Sequence, residues 1–234
     1  MNRTSIDRDY NTVNHPLIKI LSRIRFNARK KMYLLFSELV NPKETNSVLD
    51  VGVTPDDTQQ ESNFFELFYP YKYNITATSV EDCTSIEGTY EGLTFVQTKP
   101  GEAFPFDDSE FDILFCNAVI EHVGSREQQQ LFLNECLRVS KKFFITTPNR
   151  WYPIEMHTAI PLLHWLPQGV FRKILRVVGH QFLSDEANLN LLTKFELSKL
   201  VETSSHRLSI HTFEIKTIKT FLWPSNLILF GRKG

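Results

Sequence analysis

The chain has 234 residues, 41% of them hydrophobic, enough to bury a substantial core. Its 26 Lys and Arg against 27 Asp and Glu leave a formal net charge of −1, which excludes a single strong field drawing the whole chain to nucleic acid. That sum conceals a pattern: residues 1–43 carry nine bases and three acids, 44–140 four and eighteen, and 141–234 thirteen and six. Nine Gly and eleven Pro exclude collagen-like and low-complexity classes. Cys83, Cys116 and Cys136 are sparse and odd in number, so a reduced, cytoplasmic setting is expected. The first residues show no apolar run of a leader, and no stretch reaches the ~18 apolar residues of a spanning helix.

Residues 1–14 are polar and expected to be loose. From Leu17 to Val40, apolar residues recur at helical spacing among Lys19, Arg23, Arg25, Arg29, Lys30 and Lys31, and Asn41-Pro42 stops the pattern. One or two basic amphipathic helices are expected, as an N-terminal extension over 1–43. Ser47–Gly52 reads as a buried strand ending in a turn, and 59–69 as a helix. Strands follow at Tyr73–Val80, Leu93–Gln97 and Phe111–Ala118, the last almost free of polar interruption, as in a parallel sheet buried on both faces. A helix over Arg126–Val139 and a strand over Lys142–Thr146 complete a series of βαβ units. Residues 151–192 break the pattern with Pro153, Pro161, Pro167, Trp151, Tyr152, Trp165, His157 and His164, and read as a cap inserted in the domain over 44–234. A short basic amphipathic helix over Val170–Val178 lies within it. A helix over Thr193–Thr203 and strands over Leu208–Lys216 and Ser225–Phe230 end the chain. The two strands suit an antiparallel hairpin at the sheet edge, with Trp223-Pro224 in the turn.

Chemistry-bearing residues gather at the ends of these strands. Asp50-Val51-Gly52-Val53-Thr54 follows the first, where a glycine is either a plain turn or lets a ligand approach the backbone. Phe104-Pro105-Phe106 with Phe111-Asp112 leads into the fourth, and Asn117 and then Glu121-His122-Val123 leave it. In this order the segments resemble the class I S-adenosylmethionine-dependent methyltransferases, small-molecule type, over about 44–150 and 193–231. The resemblance implies an α/β, Rossmann-like, seven-stranded, mostly parallel sheet with an antiparallel last strand and helices on both faces. It also implies S-adenosylmethionine as cofactor, with Asp50, Gly52 and Thr54 at the first turn and Asn117 along its amino-acid end. The chain departs from the family where Val53-Thr54-Pro55 replaces further glycines and where Ser79 stands for the acid that holds the ribose. Glu81 or Asp82 for the ribose and Glu102 near the base are the candidate substitutes.

Methyl transfer asks for in-line positioning, exclusion of water and, for a hydroxyl acceptor, a base. His122 and His157 are the candidates, since imidazole is poised to take a proton near neutrality. His122 could equally be a helix-start residue bonding backbone, and His157 and His164 packed loop residues. Glu155 either orients His157 or is a surface acid. Asn149, Arg150 and Trp151 after the fifth strand, with His164, are candidate acceptor-binding residues, Arg150 as a clamp on an anionic group. No close His-x-x-x-His pair or paired cysteines appear, so no metal site is expected. The expected activity is transfer of a methyl group, at oxygen, to a small-molecule or carbohydrate- or lipid-linked acceptor. The alternative is a degenerate, cofactor-free scaffold that binds a partner. A nicotinamide-dependent oxidoreductase would want the absent G-x-G-x-x-G. The two basic stretches suit peripheral contact with an anionic membrane, or are ordinary solvated helix faces. Nucleic acid is not expected as a partner, because the acidic centre repels phosphate.

Overall fold

A computed structural model describes residues 16–55 and 62–234, with side chains of the first helix described from Ser22 onward. The stretch over 1–14 and the start of the helix expected over 59–69 lie outside the described residues. The basic N-terminal segment forms one helix, α1 (Pro16–Val40). Its residues Met32, Phe36 and Val40, spaced four apart, are buried on the sheet. The Phe36 ring meets Phe65, Phe115 and Phe144 edge-on, with centroids 5.3, 5.4 and 5.5 Å away. So α1 is one of the helices that cover the sheet; Arg23, Lys30 and Lys31 are exposed, whereas Arg29 lies over the Phe64 ring at 5.5 Å.

After α1 come β1 (Val48–Val51), α2 (Phe64–Phe68), β2 (Ile75–Ser79), α3 (Ile86–Thr89), β3 (Thr94–Gln97), β4 (Phe111–Asn117), α4 (Arg126–Val139) and β5 (Ser140–Pro148). The remaining elements are α5 (Gln168–Val177), α6 (Lys194–Glu202), β6 (Ile210–Thr220) and β7 (Trp223–Lys233). The seven strands order β3-β2-β1-β4-β5-β7-β6. Pairing is parallel from β3 to β5, and β7 is antiparallel to both β5 and β6, as expected for the last strand.

Alternation of side chains along each strand divides the core between two faces. Leu49, Val51, Leu114 and Cys116 pack with Leu133 and Leu137 of α4 and Leu197 and Val201 of α6. Val48, Ile113 and Phe115 pack with Phe36 of α1 and Phe64 and Phe65 of α2. Both α4 and α6 begin in capping boxes, Ser125 with Gln128 and Thr193 with Glu196, which satisfy the first free amides of each helix.

The hairpin turn differs from the expected one. Trp223 pairs with Thr220 and Pro224 with Lys219, so both lie within β7. The turn is Phe221-Leu222, at φ 50° and 72°. Two successive left-handed residues match the twist of a two-residue hairpin. Here the closing strands impose that conformation on side chains that give no turn signal.

The cap leaves and rejoins the domain at one point. Asn149 bridges Leu192, and Arg150 N donates to Leu192 O at 3.0 Å. Inside it Phe171 and Leu175 of α5 pack with Leu189 and Leu191, with Ile160 and Leu163 alongside. No helix of the described residues is long and apolar enough to cross a membrane.

Candidate functional site at the carboxyl ends of β1 and β4

The chain runs from β1 outward to β2 on one side and from β4 outward to β5 on the other. Between them the sheet has its switch point, the place at which successive loops run to opposite sides in sheets of this order. Gly52 opens the loop after β1 at φ +101°. A Cβ there would lie 2.1 Å from Val119 Cγ2, in the loop after β4, so Gly52 serves both its backbone angle and that close approach. The Thr54 backbone is bracketed by Asn63, whose Oδ1 accepts from Thr54 N at 3.0 Å and whose Nδ2 donates to Thr54 O at 2.8 Å.

Beneath this loop Asp50 and Glu66 are both buried. Burial, and then the facing Glu66, pushes the Asp50 carboxyl well above the usual range. Glu66 is also raised by burial, partly offset by Asp50. Neither Glu66 oxygen has a hydrogen-bond partner among the described residues. No sequence pattern pointed to Glu66, which sits in the apolar run Phe64–Phe68.

The other expected cofactor residues lie at or beyond the ends of β2, β3 and β4. Ser79 ends β2 and its Oγ accepts from Glu81 N at 3.3 Å. Glu81 and Asp82 are exposed, and Asp82 accepts from Thr84 N and Oγ1 at 3.0 and 2.6 Å. Glu102, in the loop after β3, is exposed and 3.6 Å from Lys99. Asn117 ends β4, its Oδ1 accepting from Thr146 Oγ1 at 2.7 Å.

At the rim, the exit of β4 turns through Ile120–His122 and meets the cap. His122 and His157 come together, ring centroids 4.8 Å apart and edge-to-face. Glu155, 1% exposed in its side chain, lies 2.6 Å from His157 Nδ1. Burial lowers the His157 pKa, but the hydrogen bond and charge of Glu155 outweigh it and the net shift is upward. Glu155 is held in turn to about 2: desolvation opposes ionisation, and the contacts with His157 and Thr158 overcome it. His122 Nδ1 is 2.6 Å from Asn188 O in the cap. Glu121, fully buried, accepts from Thr147 Oγ1 at 2.9 Å. Its place in the Glu121-His122-Val123 segment was legible, but not its hydrogen bond to Thr147, 26 positions on.

The remaining rim residues divide. Asn149 is buried, donating to Pro224 O at 2.9 Å and accepting from Trp151 N at 3.1 Å. Arg150 lies over the exposed Trp151 ring at 5.6 Å. His164 is buried in the cap, Nε2 2.8 Å from Tyr152 O, and burial lowers its pKa.

Sheet order, switch point and antiparallel last strand define a class I methyltransferase fold. Residues 64–143 match the family model of the methyltransferase domain. Among solved structures, the chain is similar to an Aquifex aeolicus SAM-dependent methyltransferase, at 11% identity and TM-score 0.56, covering 99% of this chain and 100% of that one. It is similar to a SAM-dependent methyltransferase from Thermotoga maritima, a possible histamine N-methyltransferase (13%, TM-score 0.54, 92% of each chain). It is also similar to the magnesium protoporphyrin IX methyltransferase of Synechocystis PCC 6803 with bound SAH (10%, TM-score 0.54, 97% and 92%). No curated protein matches the chain significantly. Residues 64–143 thus carry the match to a methyltransferase domain, and the chain as a whole shares the fold of these enzymes, whose methyl donor is S-adenosylmethionine.

Proposed function

We propose that the acceptor is a hydroxyl of a small molecule or of a carbohydrate- or lipid-linked substrate. The observation that carries this is the His122–His157 pair at the rim, each ring held through Nδ1. Asp50, Gly52, Thr54, Ser79, Glu81, Asp82, Glu102 and Asn117 would hold the donor. When bound, the donor supplies an electrophilic methyl group on a sulfonium. The imidazole Nε2 atoms would receive the acceptor's proton, with Glu155 fixing the orientation of His157. Arg150, Trp151 and the buried Asn149 turn would position the acceptor, and the cap would exclude water.

The exposed Val177, Val178 and Phe182, next to exposed Lys173 and Arg176, support peripheral contact of the cap with an anionic lipid surface. A panel of hydroxyl and amine acceptors, supplied with radiolabelled S-adenosylmethionine, tests the acceptor class: label in an ether is expected, and label only in amines would reject it. Calorimetry with S-adenosylhomocysteine tests the donor site. No heat at millimolar ligand with folded protein would favour the scaffold alternative, for which Ser79 in the ribose position and Val119 against Gly52 speak.

A further inference from the structure

We propose that Glu121, His122 and His157 form a binding site for a divalent first-row transition-metal ion. One donor atom from each lies within 4.8 Å of the other two. Ligands held about 2.0–2.2 Å from a tetrahedral ion lie roughly 3.3–3.6 Å from one another, so small side-chain rotations close the set. Glu121 Oε1 and His122 Nε2 are already 3.8 Å apart, too far for a hydrogen bond and near the spacing of two ligands on one ion.

Two independent features point to an ion. The first is an orphaned oxygen. Glu121 is fully buried, Thr147 holds its Oε2, and its Oε1 has no hydrogen-bond partner. An unpaired carboxylate oxygen in that position is costly unless something positive meets it. The second is the preparation of the two imidazoles. His122 Nδ1 is set against Asn188 O, and His157 Nδ1 against Glu155 Oε1, both at 2.6 Å. Nδ1–H donating to a carbonyl or carboxylate places the lone pair on Nε2 and fixes the ring, as metal-binding histidines require. Glu155 is itself pinned by His157 N at 2.9 Å and Thr158 N at 2.7 Å.

Two imidazoles and one carboxylate suit zinc, cobalt, iron or manganese better than magnesium or calcium, which prefer all-oxygen sets. Three protein ligands leave a position open at the exposed edge of His122, where an oxygen ligand could enter. Ion binding stands apart from the acceptor reading, because a metal on both Nε2 atoms would occupy the lone pairs that the acceptor reading gives to proton transfer.

The test is titration of the wild-type protein, free of donor, with Co²⁺ and then Zn²⁺, followed by visible d–d absorption and calorimetry. One Co²⁺ per chain, displaced by Zn²⁺, is expected. His122→Ala and His157→Ala should each weaken binding tenfold or more. Glu155→Gln, which would not touch the ion, should weaken it by about 10–100-fold and shift the Co²⁺ spectrum. Circular dichroism establishes that each variant is folded; should His157→Ala fail to fold, His122→Ala at the rim decides. No saturable binding by folded wild-type protein, or unchanged affinity in folded His122→Ala, overturns the site. Metal binding without S-adenosylhomocysteine binding keeps the site and rejects the donor reading, and the reverse result rejects the site alone.

Discussion

Gly52→Ala should destabilise the protein through two separable effects. At φ +101° an L side chain is strained, at a cost of about 1–3 kcal/mol. The added Cβ would also lie 2.1 Å from Val119 Cγ2, and such overpacking costs a further ~1–3 kcal/mol. Together these remove about 2–6 kcal/mol from a fold whose total stability is of order 5–15 kcal/mol. At about 2–4 °C per kcal/mol for a chain of this size, the melting temperature falls by at least ~4 °C. Val119→Ala removes the clashing methyl but leaves the backbone strain. In urea unfolding, the double variant should therefore be about 1–3 kcal/mol more stable than the two single effects added together. An additive double variant, or a loss below about 1 kcal/mol for Gly52→Ala alone, would refute the contact between the β1 and β4 loops.

Three further outcomes are expected. Asp50→Asn should raise the melting temperature at pH 7. Burial lifts the folded pKa of Asp50 above its unfolded value, so ionising it costs stability increasingly as pH rises from about 4, and a neutral amide removes that cost; an equal gain at pH 3 and pH 7 would contradict this. Asp112 has its pKa lowered, first by Lys141 Nζ at 2.8 Å and also by Asn46 and Ser47 N, so its contribution is present above about pH 4 and is lost as pH falls through the folded value. Asp112→Asn should cost about 1 kcal/mol at pH 7 and flatten the acid limb of the stability curve; an unchanged limb would count against it. Val177→Asp with Phe182→Asp should reduce co-sedimentation with phosphatidylserine vesicles while leaving the melting temperature unchanged, and unaltered sedimentation would remove the cap from the lipid contact.

Much of the architecture is carried by local pattern. Strand alternation and uninterrupted apolar runs such as Phe111–Asn117 reflect burial on both faces, and α4 begins at a capping box readable as Ser125-x-x-Gln128. The motif order from Asp50 to His122 likewise reports a switch point, because ligand-facing loops follow strand ends. Turn positions were less legible: Phe221 and Leu222 carry no turn chemistry, and strand pairing alone puts them there.

The site depends on contacts across the chain. The amphipathic pattern of residues 17–40 marks a helix, but only packing of Phe36 against Phe65, Phe115 and Phe144 makes it part of the sheet's cover. The pairing of Asp50 with Glu66 arises because α2 lays one polar residue of an apolar run over the end of β1. His122 and His157 lie 35 residues apart, so no spacing rule joins them; closure of the cap at Asn149 and Leu192 does. Sequence by itself determined which segments are strands and helices, since periodicity is a property of neighbours along the chain. Tertiary structure decided which carboxylates are buried together and which imidazoles meet, since burial and proximity are set only when the sheet and cap close.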